Sequence, residues 1–254
     1  MPKLQVGAVS YLNTKPLLWG IERSAMRSEM DLRLLYPAQL AAGLKDGSLD
    51  LALMPVAALP TIPGARIVGD YGIGADGPVA SVCLFSEVPM EKIERVYLDY
   101  QSRTSIQLAQ WLMERHWKRS TEYVAASEDY ITRIGGTTAG VIIGDRALEA
   151  LDKFPFVYDL AEAWKAATGL PFVFAGWTAT KELPQEFLGA FNAANAAGLQ
   201  HVDEIVAANP FSAYDLRRYY THNIRYRLDT RMMMGLERFL QEVSTLSSSD
   251  GHPK

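Results

Sequence analysis

Polar side chains gather at joints where an apolar run gives way to a helix-like segment. In "VSYLNTKP" they are Ser10, Asn13 and Thr14; in "LDYQSRTSIQL" they are Ser102, Arg103, Thr104 and Ser105. "LALMPVAAL" and "IIGDRALEAL" are two further joints, the last carrying Asp145. Hydroxyls and a carboxamide can donate and accept hydrogen bonds, and Arg103 adds a cation. A helix that starts at a joint also presents unpaired N–H groups and the positive end of its dipole. Together these features suit a carboxylate or a phosphate. Each joint has a plainer reading too. Ser, Thr, Asn and Asp cap helices, Pro16 fits a first helical turn, and Asp145 fits the start of "RALEAL". Several polar-rich joints in one chain nevertheless point to a polar or anionic small molecule.

Other chemistries lack their residues. "GIGADG", Gly72 to Gly77, satisfies G-x-G-x-x-G, but Pro78 and another strand-like run follow where a dinucleotide site needs a helix. It reads as a mobile turn. His116, His201, His222 and His252 are scattered without metal-ligand spacing. No G-x-S-x-G elbow and no P-loop is present. The single cysteine, Cys83, rules out an internal disulfide and a cysteine-cluster metal site, and its apolar run makes it an inert core residue. Neither metal nor cofactor is expected. Acidic residues near the joints are few: Asp99, Asp145 and Asp70.

The elements that must position these residues alternate. "LQVGAVS", "MDLRLLYP" and "LDLALMP" read as strands, with "KPLLWGIERSA" and "AQLAAGLKDG" as helices between them. "ARIVGDYGI", "PVASVCLFS", "IERVYLD", "TEYVAA", "AGVIIGD", "PFVYDL" and "LPFVFAGWTAT" continue the strands, with helices "SIQLAQWLMERHW" and "RALEAL" among them. Residues 184–208, 213–220 and 230–243 read as helices, the last with a stripe of Met232, Met233, Leu236, Phe239, Leu240 and Val243 that suits a core. This is an α/β pattern with mostly parallel sheets. Strand-like segments near 79–85 and 171–177 suit crossings between two lobes. Lobe 1 would then hold 1–82 plus 177–243, lobe 2 would be inserted as 83–176, and 244–254 would be a disordered tail. In such a bilobal layout the ligand sits in a cleft, beyond the carboxyl ends of parallel strands.

The 254 residues are 48% hydrophobic and 21% charged, with a net charge of −4. That composition is globular and offers no basic footprint for nucleic acid or an anionic membrane. "MPKLQVGAVS" lacks the apolar core of a signal peptide, and no apolar stretch is long enough to span a membrane. The expected location is the cytoplasm. A homodimer is compatible with the sequence but not specified by it.

The same joints carry a resemblance. "VSYLNTKPL", "DLALMPVAAL", "GPVASVCLFS", "DYQSRTSIQLAQWLM", "IGDRAL" and "WKAATGLPFVFAGW" resemble, in order, the menaquinone-pathway chorismate dehydratases (the MqnA family), with weaker similarity around "YYTHNIRYRLDTRMMMGLERF". The resemblance implies a type II periplasmic-binding-protein-like fold used as a lyase. Its reaction would remove water from chorismate, a dianion, to give 3-[(1-carboxyvinyl)oxy]benzoate in the futalosine route. It implies catalytic roles for Asn13 or Asp145. It also implies substrate-binding roles for Ser10, Thr14, Ser81, Ser102, Arg103, Thr104 and Ser105. No histidine or glutamate in these blocks is an obvious general base. One hypothesis is therefore that the substrate's enolpyruvyl carboxylate takes the C3 proton while Asn13 holds a carboxylate or the departing hydroxyl. The rival is a conventional base, Asp145.

Two alternatives stand beside this reading. A sister family of the same fold (MqnD) forms 1,4-dihydroxy-6-naphthoate, although "SYLNT" and "TGLPFVFAGW" lie closer to the dehydratase pattern. A non-catalytic small-anion-binding protein is the other, and fold alone does not separate it from an enzyme.

Overall fold

The computed structural model describes residues 3–249. In chain order its strands begin with β1 (Leu4–Ala8), β2 (Met30–Leu34), β3 (Leu51–Pro55), β4 (Arg66–Ala75), β5 (Val82–Ser86) and β6 (Arg95–Leu98). They continue with β7 (Glu122–Ala125), β8 (Thr138–Ile143), β9 (Phe156–Asp159), β10 (Phe172–Ala179) and β11 (Arg225–Arg227). The helices are α1 (Lys15–Arg23), α2 (Pro37–Asp46), α3 (Arg103–Trp111), α4 (Asp145–Ala150), α5 (Leu160–Thr168), α6 (Gln185–Gly198), α7 (Val202–Ala208), the single turn α8 (Leu216–Arg218) and α9 (Thr230–Ser249).

The chain forms two compact units. One comprises residues up to 74 together with 173–229, and the other 75–172 together with 230 onward. The first unit's sheet has the order β11-β4-β10-β3-β1-β2. β1 pairs in parallel with β2 and β3, whereas β3 pairs antiparallel with β10. β3 is buried from Leu51 to Met54, so its unbroken apolar run reflects a strand covered on both faces. α1 packs against α6 so closely that a Cβ on Gly20 would lie 1.9 Å from the carbonyl oxygen of Ala194. Glycine is what permits that approach.

The second unit's sheet has the order β7-β6-β8-β5-β9. β6 runs parallel to β7 and β8, while β5 runs antiparallel to β8 and β9. Both sheets are thus mixed, not mostly parallel. Each keeps a parallel core of βα units and adds antiparallel strands.

The final helix corrects the expected lobe boundary. Its apolar stripe packs in the second unit, where the Phe239 ring lies 4.9 Å from that of Phe172 and 6.0 Å from that of Trp164. Periodicity shows that a stripe is buried but not against which partner. The helix also runs to Ser249, through the first part of the expected tail; residues 250–254 lie outside the described residues. The helical reading of 184–208 breaks into α6 and α7 around His201. The "GIGADG" segment runs as strand through Ala75, with no helix after it. Cys83 is buried in β5, and burial pushes its thiol well above the ordinary range. Trp177 is fully buried and donates its indole N–H to Asn195 Oδ1 at 3.0 Å, so it is core.

Candidate functional site

In the first unit the joint after β1 packs its polar residues unequally. Ser10 is exposed, Thr14 is fully buried, and Asn13 lies between these extremes. The Thr14 hydroxyl lies 2.9 Å from the carbonyl oxygen of Val9 and 2.7 Å from that of Tyr11, and its one proton is donated to them. It pins the turn that launches α1, with Pro16 in the helix's first turn. Asn13 is different. Its Oδ1 is buried and has no hydrogen-bond partner among the described residues. A buried acceptor without a donor costs about 1–3 kcal/mol, which makes it a place where a ligand's O–H or N–H would be welcome.

Beside this joint is a cavity of about 320 Å³, lined by Val9, Ser10, Tyr11, Leu34, Tyr36 and Gln39. It opens at the carboxyl ends of β1 and β2, where α/β folds place ligands. Tyr36 and Leu34 are exposed there, while the Gln39 side chain accepts the Tyr36 N–H at 3.0 Å and fixes the start of α2.

In the second unit the joint after β6 is built around Ser102. Its Oγ accepts the Ser105 N–H at 3.1 Å and donates to Ser105 Oγ at 2.9 Å. This is helix capping, and it draws both serines inward. Thr104 is also buried, whereas Arg103 is exposed. Asp145 is the first residue of α4 and is partly buried, with Gly144 as the helix cap. Ser81 is buried, and its carbonyl accepts the Gly144 N–H at 2.8 Å, which ties the start of β5 to the start of α4. The structure therefore brings Ser102 and Ser105 into direct contact and links Ser81 to the residue before Asp145. It leaves Arg103 outside that cluster.

Two constellations were not legible in the sequence. Asp99, fully buried at the end of β6, accepts the Gln101 N–H at 2.8 Å and the Arg146 Nη2 at 2.6 Å, with the Tyr130 hydroxyl at 2.7 Å. Burial, then the nearby Asp99 charge, pushes the Tyr130 phenol far above its usual value, so it stays protonated as a donor. The second centres on Asp159 at the end of β9. Its Oδ1 accepts the N–H groups of Ala161 and Glu162, capping α5, and its Oδ2 accepts the N–H of Ala80 at 2.6 Å. Ala80 has φ 63°, a left-handed conformation that costs a non-glycine residue energy and that this bond helps to hold. Burial raises the Asp159 carboxyl to about 6, against the pull of its backbone donors. The only sequence signal for either centre was an acid at a strand end.

Among the described residues, no group of three or more His, Cys, Asp or Glu is placed to hold a metal ion, and no helix is long and apolar enough to cross a membrane.

Comparisons with known proteins bear on the family and the fold. The chain is 28% identical over 269 residues to the chorismate dehydratase of Thermus thermophilus, covering 94% of each protein. Among solved structures, a protein of Archaeoglobus fulgidus superposes with a TM-score of 0.76 at 13% identity, over 97% of this chain and 98% of that one. A Candida albicans protein described as having the generic periplasmic binding protein fold superposes with a TM-score of 0.61 at 11% identity, over 100% and 92%. At such identities the structures establish the fold, which is α/β and periplasmic-binding-protein-like. A sequence-family profile described as menaquinone biosynthesis matches residues 4–245, nearly the whole chain, and the chain belongs to that menaquinone biosynthesis family.

Proposed function

We propose that this protein is a chorismate dehydratase, converting chorismate to 3-[(1-carboxyvinyl)oxy]benzoate and water. The observation that carries the reading is end-to-end similarity to the Thermus thermophilus enzyme of that name, and it is supported by a joint after β1 that holds an Asn13 Oδ1 unpartnered among the described residues and whose Val9, Ser10 and Tyr11 line a cavity.

The chemistry needs little from the protein beyond orientation and charge stabilisation. Loss of the C3 proton leaves an electron pair delocalised through C2=C1 into the ring carboxylate. That pair then re-forms the ring double bonds as the C–O bond at C4 breaks and hydroxide leaves, taking up a proton to give water. The product ring is aromatic, which drives the step. In our reading the substrate's own enolpyruvyl carboxylate, held close to C3, takes the proton. Proximity of this kind replaces a dedicated base. Asn13 Oδ1 is an acceptor, so it suits the C4 hydroxyl, a donor, better than it suits a carboxylate. It would fix the leaving group's orientation. In this reading Ser10, which lines the cavity, donates to a carboxylate, while Thr14 holds the turn. Ser81, Ser102, Arg103, Thr104 and Ser105 remain substrate-binding candidates in this reading.

The test is incubation of purified protein with chorismate alone, with products separated and weighed by mass spectrometry. A product lighter by one water that keeps the enolpyruvyl group on an aromatic ring is the expected result. Chorismate decaying no faster than without protein would overturn the assignment and favour the sister enzyme or a binding protein.

A further inference from the structure

We propose that Arg146, not only the Arg103 that its motif suggests, receives a carboxylate of the substrate, with Asp99 as its positioning residue. This rests on the dehydratase reading. The Arg146 side chain is 27% exposed, while Asp99 is fully buried. Both hydrogen bonds of the guanidinium, to Asp99 at 2.6 Å and to Gln101 Oε1 at 3.1 Å, are made by Nη2. Nε and Nη1 make no hydrogen bond among the described residues, so three N–H donors remain on a guanidinium that cannot swing away. The group also sits 5.4 Å from the ring centre of Tyr100, itself half exposed.

A buried carboxylate that holds a partly exposed arginine by one nitrogen is an arrangement for orientation. The ion pair by itself is weak evidence for stability, because desolvating Asp99 offsets much of the attraction. What the pair provides is a guanidinium with its rotamer already fixed, so little side-chain entropy is lost when a ligand binds. Arg103 has no such anchor; it is exposed and makes no hydrogen bond or ion pair among the described residues. Asp99 and Arg146 stand at the carboxyl ends of the neighbouring parallel strands β6 and β8, the end of the sheet where α/β folds bind ligands. An anion arriving there meets the positive end of an oriented pair.

Arg146→Met alone strands a buried carboxylate and risks unfolding, so the decisive protein is the pair Asp99→Asn/Arg146→Met, which removes both charges. Its melting temperature, its kcat and KM for chorismate, and its calorimetric affinity for chorismate are compared with those of the wild type. The expected result is a folded protein with KM and Kd raised roughly ten- to a hundred-fold, the range for losing a hydrogen bond to a charged group, and kcat changed much less. Asp99→Asn alone, which keeps the cation but loosens it, should fall between the two, and millimolar guanidinium should partly restore the affinity of the double variant. An unchanged KM and Kd in a folded double variant would sink the proposal while leaving the dehydratase reading intact. So would a rise in KM confined to Arg103→Met. A wild type that binds chorismate without converting it would fail the functional reading, and the Kd comparison would still decide Arg146. A wild type that does not bind chorismate overturns both.

Discussion

The carboxylate of Asp159 accepts the backbone N–H of Ala80 at 2.6 Å, across a separation of 79 residues. One side chain thus holds a strained alanine at the start of one strand while capping the helix that follows another. With its pKa raised to about 6 in the folded protein, Asp159 holds its proton more tightly there than in the unfolded chain. The native state then binds more protons than the unfolded state between pH 4 and 6, so this residue's contribution falls as pH rises through that window. Measured melts should show a component of stability, about 3 kcal/mol at most, that is full near pH 4 and lost above pH 6. Asp159→Asn should flatten it. A variant that retains the full slope would assign the titration to another group.

Asn13→Ala should separate stability from activity. Removing a buried acceptor that has no partner relieves a desolvation penalty, so the melting temperature should hold or rise. Chorismate turnover should fall by roughly tenfold or more, because a hydrogen bond to the leaving hydroxyl is lost. Full turnover in the variant would remove Asn13 from the mechanism.

Asp145→Asn distinguishes the two bases. If the substrate supplies its own base, kcat should stay within about tenfold of the wild type, since general-base loss costs about 10²–10⁴-fold. A drop into that larger range, with a folded protein, would make Asp145 the base.

Gly20→Ala should destabilise the first unit without touching the joint's polar groups. The added methyl would meet the backbone of α6 at 1.9 Å, and backbone cannot rotate aside. Overpacking of this kind costs about 1–3 kcal/mol, read as a lower denaturant midpoint at unchanged slope. A midpoint equal to the wild type's would show that α1 and α6 can part.

Several features were legible before any coordinates. The alternation of apolar runs with helical patterns marked most of the strands and the helix starts at Lys15, Pro37, Arg103 and Asp145 within a few residues. Two elements escaped. β11, Arg225–Arg227, is an edge strand with arginines at both ends, so it has no apolar run to betray it. α5 lies in "LAEAWKAAT", a short helix bounded by the Asp159 cap and by Gly169 at φ 73°.

The sequence by itself determined the α/β class, the strand-to-helix joints and the family, because these depend on local periodicity, capping residues and ordered motifs. Tertiary structure alone decided which polar group at each joint is spent on the fold and which is left over. Thr14 and Ser102 turn inward to satisfy backbone, while Asn13 Oδ1 is left without a donor. It also decided that Asp99 meets Arg146 and that α9 packs against Trp164, since partners 47 residues apart, or a helix's choice of core, depend on packing across the chain. Hydrogen-bond satisfaction is a property of the closed structure, and no window of residues contains it.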